Sequence, residues 1–519
     1  MEYQFVCNAE TALVETAQGT VKGYIYDGLF IFKGIPYASA KRFHAPQPVE
    51  HWEGVLDAGS YGCVCPLLEL PKPGGELRVP HRYWVMDEDC QNLNVWTPGC
   101  GDEKRPVLVW LHGGGFEAGS AIEHIAYEGE NMSRIGQVVV VSVNHRLNVL
   151  GYCDLSDFGE EYANSGNAGT DDIIAALRWI HENIEKFGGD PENVTVFGQS
   201  GGGAKVTALL QSPAADGLFV KGINMSGVIG PLLADSIGSG KDLAYALIEE
   251  LNIRTVKELE TVPYAALAAA YRKVRPILAA EGKYVGGTPH PNAFYAGVPE
   301  INGFRSETAR IPLMVGTVYG EFNSFAAPTY NKQEMTNEEG EEAVRRKLGN
   351  ETAKLLLPLY KEAYPERNPV DLLTLDFLFR LPTMQYIRQR SGLNSCTYSY
   401  LFNLDLPIDH GCTPWHCADI PYVFHNTELV QATQEAGVTK KVEKQIFDSV
   451  MAFAKTGNPN NASVPFWPES TPEKENTMVF GKTAELRCNY DRQLIPMAAE
   501  YIGPILKKEA EENREKVQH

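Results

Sequence analysis

The stretch Val194-Thr195-Val196-Phe197-Gly198-Gln199-Ser200-Gly201-Gly202 constrains this 519-residue chain more than any other feature. A β-branched apolar run breaks into Gly-x-Ser-x-Gly, and residues 203–210 continue in a helical pattern. A serine on such a strand-to-helix turn projects clear of both elements. Its hydroxyl is a poor nucleophile at its own pKa, so the turn is useful only where a histidine can take the proton. Glycines at 198 and 202 let strand and helix approach while Ser200 holds a strained backbone conformation. In a chain with 48 glycines the same match also arises as an ordinary turn. The flanking strand and helix patterns favour the nucleophile reading.

Residues 106–111, 138–143 and 194–197 are apolar, β-rich runs separated by helical patterns, which predicts an α/β fold around a largely parallel sheet. Between the last two, Ile173, Leu177, Ile180, Ile184 and Phe187 recur at steps of three and four, and Gly188-Gly189-Asp190-Pro191 ends that helix. Residues 20–26 and 29–32 alternate like antiparallel strands at an edge of the same sheet. Helical patterns dominate at about 236–280 and 337–390, the positions of candidate cap or lid insertions. Strand character returns at 396–402, and 446–455 reads as a helix closed by Gly457 with Pro459 beyond. With no internal repeat and no Pro/Ser-rich linker, residues 1–519 read as one domain with insertions.

A formal charge of −20 disfavours nucleic acid and anionic membrane surfaces as partners, since both need clustered Lys and Arg. The charge run at 507–516 reads as a solvated terminal helix. The amino terminus shows no basic segment leading into an apolar core, and no span approaches eighteen apolar residues, so a soluble, cytoplasmic protein is expected. In that setting the ten cysteines read as thiols rather than a disulfide framework. No Cys or His pair has zinc spacing, and His181-Glu182-Asn183-Ile184-Glu185 lacks the second histidine of a zincin helix, so no metal or cofactor is expected.

The 106–111 strand ends in Leu111-His112-Gly113-Gly114-Gly115-Phe116. Three glycines after a buried strand leave N–H groups open to a close-approaching oxygen, which is what the oxyanion of acyl transfer requires. Gly114 and Gly115 are the expected donors, with the Gly201 N–H just after the nucleophile as the third. A phosphate cradle is disfavoured, because neither Gly-x4-Gly-Lys-Ser/Thr nor an appropriate Gly-x-Gly-x-x-Gly is present.

In these motifs the chain resembles the type-B carboxylesterase/lipase family of α/β-hydrolases, which includes bacterial carboxylesterases and cholinesterases. Lys33-Gly34-Ile35-Pro36-Tyr37-Ala38, Arg42-Phe43 with Pro46, Asp87-Glu88-Asp89-Cys90-Gln91-Asn92-Leu93-Asn94-Val95, Phe187-Gly188-Gly189-Asp190-Pro191 and Thr456-Gly457-Asn458-Pro459 carry the resemblance over most of the length. It implies an α/β-hydrolase fold with the order Ser, acid, His. Glu321, after Ile311-Pro312-Leu313-Met314-Val315-Gly316-Thr317-Val318-Tyr319-Gly320, falls where the family carries its triad glutamate. Residue type alone does not select it from 66 acids, and Asp405, Asp409 and Asp419 are rivals. Gly411-Cys412-Thr413-Pro414-Trp415-His416-Cys417 is similar to the family's catalytic-histidine loop, making His416 the expected base and His410 the second choice.

The resemblance thus implies a serine carboxylesterase acting through an acyl-enzyme on small to medium uncharged esters, with activity that falls in acid as His416 gains a proton. A lipase working at lipid interfaces and a non-catalytic adhesion or binding domain are the alternatives. The chain departs from the family at three points. Gln199 replaces a frequent glutamate, which lowers the expectation of choline esters. Gly201 stands where alanine is usual, which should keep the donor but loosen the turn. Cys65 and Cys90 fall near positions that are bridged in secreted members and are expected here as thiols. Oligomeric state is not legible.

Overall fold

The computed structural model describes residues 4–68, 79–228, 240–283, 287–326, 330–393 and 396–518. Twelve strands form one sheet: β1 (Phe5–Val6), β2 (Tyr24–Tyr26), β3 (Leu29–Pro36), β4 (Asn92–Thr97), β5 (Arg105–Leu111), β6 (Val139–Val143), β7 (Gly189–Gln199), β8 (Lys221–Met225), β9 (Leu313–Val318), β10 (Thr397–Phe402), β11 (Asn476–Phe480) and β12 (Ala484–Cys488). Their spatial order is β1-β2-β3-β4-β6-β5-β7-β8-β9-β10-β11-β12. From β6 to β11 every neighbour pair is parallel, whereas both flanks are antiparallel.

The parallel block is buried on both faces, which is why its strands read as unbroken apolar runs. One face packs against α1 (Ala168–Asn183) and α2 (Gly201–Leu210), through residues such as Val109, Val196, Ile173 and Leu209. The other face packs Trp110, Phe197 and Met225 against Val442, Phe447 and Val450 of α3 (Thr439–Thr456). That helix begins seven residues before the expected 446, and Gly457 in the left-handed region (φ 78°) ends it.

Residues 20–26 do not form a single strand. Gly19–Lys22 pairs with Leu13–Thr16 and Val55–Asp57 in a separate small sheet, and only Tyr24–Tyr26 joins the large one. The change occurs at Gly23, where a Cβ would sit 2.2 Å from the Ile31 carbonyl oxygen, so the chain crosses between sheets where only glycine fits. β7 also begins earlier than residue 194, with an irregular register against β5 before Val107–Val194.

The helices Lys241–Glu250, Val256–Leu259 and Tyr264–Ala280 share an apolar cluster with earlier parts of the chain, in which Leu243, Leu247, Leu267 and Tyr271 join Phe43, Leu147, Leu150 and Leu155. Residues 236–239, the start of the first expected insertion, lie outside the described residues. In the second, Asn337–Leu348, Asn350–Ala363 and Arg380–Ser391 are helical. Among the described residues no helix is long and apolar enough to cross a membrane. Among the described residues no disulfide joins any of the ten cysteines, and Cys65 and Cys90 are buried.

Candidate active site

The carboxyl ends of β5, β7, β8, β9 and β10 converge, which is where open parallel sheets present their functional loops. Ser200 follows β7 directly and adopts φ 56°, ψ −124°. Close packing leaves it no other course. A Cβ at Gly198 would lie 2.4 Å from the Gly202 carbonyl carbon, and one at Gly202 would lie 1.9 Å from the Leu111 oxygen. The Ser200 N–H donates to the Met225 carbonyl over 2.7 Å, which ties the turn to β8.

Gly114 (φ 82°) and Gly115 (φ 63°) lie in the left-handed region, where successive main-chain N–H groups form an anion-binding concavity. Among the described residues, no acceptor is recorded for the N–H of Gly114, Gly115 or Gly201. A Cβ on Gly201 would meet the Gly115 oxygen, Cα and carbonyl carbon at 2.1, 2.4 and 2.5 Å. The glycine at 201 therefore does not loosen the turn; the Gly115 main chain occupies the space a methyl would need.

Glu321 follows β9 with φ 40° and is fully buried. Its Oε1 accepts from the Val318 N–H at 2.7 Å and from Ser226 Oγ at 2.6 Å, while Oε2 is hydrogen-bonded to His416 Nδ1. The His416 N–H donates to the Glu321 carbonyl at 3.2 Å, so two contacts join the loops after β9 and β10. Phe322 stacks on the imidazole at 4.3 Å and Phe379 leans on it at 5.1 Å. On the other side of the ring, Gln199 Nε2 lies 3.1 Å from His416 Nε2, and Cys417 Sγ donates to Gln199 Oε1 at 3.3 Å.

The structure brings Ser200, His416, Gly114 and Gly115 together on a cavity of about 470 Å³, with Glu321 behind the histidine. The other acids go elsewhere. Asp405 pairs with Arg367 and Lys332, and Asp409 and His410 are exposed on a turn. Asp419 accepts from Tyr400 Oη at 2.9 Å, and burial, then the Glu321 charge, pushes its carboxyl up to about 7. The same causes raise Asp376, which accepts from the N–H groups of Leu378, Phe379 and Arg380.

Ser226, Phe322 and Lys205 lie beside the site without a sequence motif that marks them. A small polar residue closing the Asn224-Met225-Ser226 strand end was the one available signal for the first. As a candidate cation site, His425, Glu428 and Glu443 bring ligand atoms within 4.8 Å of one another. There Lys440 Nζ already reaches the two carboxylates at 3.1 and 2.8 Å.

A mostly parallel sheet with a strained serine at the end of a central strand, and a buried Glu–His pair beside it, defines a hydrolase of the α/β class. The Carboxylesterase family profile matches residues 10–496, so the chain belongs to that family and is a carboxylic ester hydrolase. It is 33% identical to the para-nitrobenzyl esterase of Bacillus subtilis (strain 168) over 481 residues, covering 90% of this chain and 94% of that protein. It is 28% identical over 485 residues to the phenmedipham hydrolase of Pseudarthrobacter oxydans, covering 90% and 95% respectively. Among solved structures, it superposes with a TM-score of 0.93 and 49% identity on an esterase from anaerobic Clostridium hathewayi, over 96% of this chain and 100% of that one. That esterase is described as able to hydrolyze aliphatic aromatic polyesters. These named relatives are esterases and hydrolases, which favours the enzyme over the non-catalytic adhesion or binding domain.

Proposed function

We propose that Ser200, His416 and Glu321 act as a catalytic triad and that the N–H groups of Gly114, Gly115 and Gly201 form the oxyanion hole. The contact that carries this reading is Glu321 Oε2 against His416 Nδ1, because it leaves Nε2 as the unprotonated nitrogen; in this structure that nitrogen faces the Gln199 amide, on the cavity that Gln199, Ser200 and His416 line together. Ser200 Oγ attacks the ester carbonyl carbon as Nε2 takes its proton. The carbonyl π electrons move to oxygen, which the three N–H groups stabilise, and Glu321 balances the imidazolium. Collapse expels the alcohol, which receives that proton. Water then repeats the sequence on the acyl-enzyme and releases the acid and free Ser200.

The substrate class we infer is small to medium uncharged esters. The cavity volume suits them, and its walls carry one charge of each sign in Arg82 and Glu123. A second reading has a specific observation behind it. Tyr83, Trp84, Met86 and Phe322 line the cavity yet stay 42–55% exposed, a rim suited to aryl or alkyl groups that extend outward. Together with the named ability of the Clostridium esterase, this favours testing ester groups at polyester chain ends. We read the chain as one catalytic unit capped by the helical blocks, and as a cytoplasmic enzyme in keeping with its thiols.

Treatment with a fluorophosphonate followed by peptide mapping should modify Ser200. A panel of p-nitrophenyl esters graded by acyl length should show saturation on short soluble members. Modification elsewhere, or turnover surviving in Ser200→Ala, would overturn the triad. A rate that jumps only above the substrate's solubility limit would favour the interfacial lipase instead.

A further inference from the structure

Behind the glycine loop lies a lysine that the proposed chemistry does not use. Lys205, in the second turn of α2, is 1% exposed, and its Nζ donates to the His112 carbonyl over 2.9 Å. The Phe116 ring lies 6.0 Å from the same nitrogen. Beside it the His112 and His145 rings stack at 4.9 Å, each with a buried Nε2 that has no partner among the described residues. Burial pushes the Lys205 ammonium down to about 7 and keeps both imidazoles neutral. A lysine with one carbonyl for its donors, in a place this dry, costs stability, and helix packing alone would be served by an apolar side chain.

We propose that Lys205 is a positioning residue for the oxyanion hole, fixing the His112–Gly115 loop to the helix that begins at the nucleophile. This rests on the triad reading above. The two donor-bearing segments meet main chain to main chain, Gly201 against Gly115 and Gly202 against Leu111. Gly113, Gly114 and Gly115 also lack the side chains that would restrict their dihedrals. The His112 carbonyl is the last one before this glycine run. Holding it from α2 sets the direction in which the run departs, and the Gly201 N–H belongs to the same helix. One amine thereby places donors from two segments relative to each other, where a displacement of about 1 Å is worth on the order of a hundredfold in rate.

Lys205→Met keeps length and apolar volume but cannot donate. In steady-state hydrolysis of p-nitrophenyl butyrate, kcat should fall by roughly tenfold to a hundredfold with KM within about threefold of wild type. The second-order rate of fluorophosphonate modification, which needs the same donors, should fall by the same factor. Thermal stability should hold or rise, because a buried charge is gone; a merely structural lysine would move stability and kcat down together. Lys205→Gln, which retains an N–H at shorter reach, should keep more kcat than Lys205→Met, and it carries the test should the latter not fold. Wild-type values of both rates in folded Lys205→Met, a loss confined to KM, or equal loss in Gln and Met would overturn the proposal. A wild-type protein inert toward the ester and the fluorophosphonate would instead overturn the triad reading itself.

Discussion

Ser226 Oγ donates to Glu321 Oε1 over 2.6 Å, so the carboxylate that faces His416 is held from β8 as well as from its own loop. A hydrogen bond to a charged acceptor in a dry site is worth about 1.5–3 kcal/mol. Ser226→Ala should therefore lower kcat by roughly tenfold while leaving KM close to wild type, as measured by initial rates on a short p-nitrophenyl ester. A rise in KM at constant kcat would count against a role in holding Glu321.

At Gly201 the expected outcome of adding one methyl is unusually specific. The Cβ would meet Gly115 main-chain atoms at 2.1–2.5 Å, so the glycine loop has to retreat from the helix. Gly201→Ala should cost on the order of 3 kcal/mol of transition-state stabilisation, about a hundredfold in kcat, with the chain still folded by circular dichroism. Unchanged kcat would mean that the loop accommodates the methyl without moving its donors.

A buried ion pair braces the sheet end from outside the site. Arg146 Nε and Nη2 reach the Asp172 carboxylate at 2.8 and 2.6 Å, with both side chains at most 2% exposed, and Nη1 donates to the carbonyls of Lys41 and His44. Asp172→Ala leaves a guanidinium buried without its counter-charge and should destabilise the protein by about 3–5 kcal/mol in urea unfolding. A change below ~1 kcal/mol would mean that water enters to solvate Arg146.

Asp419 predicts a pH signature in stability. Its folded carboxyl holds a proton up to about 7, against an ordinary value of 3.8. Between those values the folded chain binds more protons than the unfolded one, so this group makes stability fall as pH rises through the window and adds nothing further above it. Asp419→Asn removes the effect. Its stability relative to wild type should climb from about pH 4 to pH 7 by on the order of a few kcal/mol and then level off. A difference that stays flat across that range would sink the assignment.

How much of this was legible in advance follows the range of the forces involved. The turn at Ser200 is set by neighbours within four residues and by strand-to-helix closeness, and Gly198 and Gly202 announce it. The antiparallel edge was harder. Whether residues 20–22 pair with 13–16 or with the large sheet depends on a crossing at Gly23, and local alternation reads the same either way.

By itself the sequence determined a parallel α/β sheet, a serine on its central turn and a glycine loop after a neighbouring strand, because periodicity and main-chain sterics are local properties. The resemblance pointed to Glu321, but which acid, Glu321 or Asp419, lies against His416 is a matter of tertiary structure. The two acids have similar chemistry, and only packing decides that one accepts from Ser226 and Val318 and faces His416 while the other meets Tyr400. Lys205 belongs to the same category: its amine reaches His112, 93 residues away in the chain, because two buried elements lie in main-chain contact.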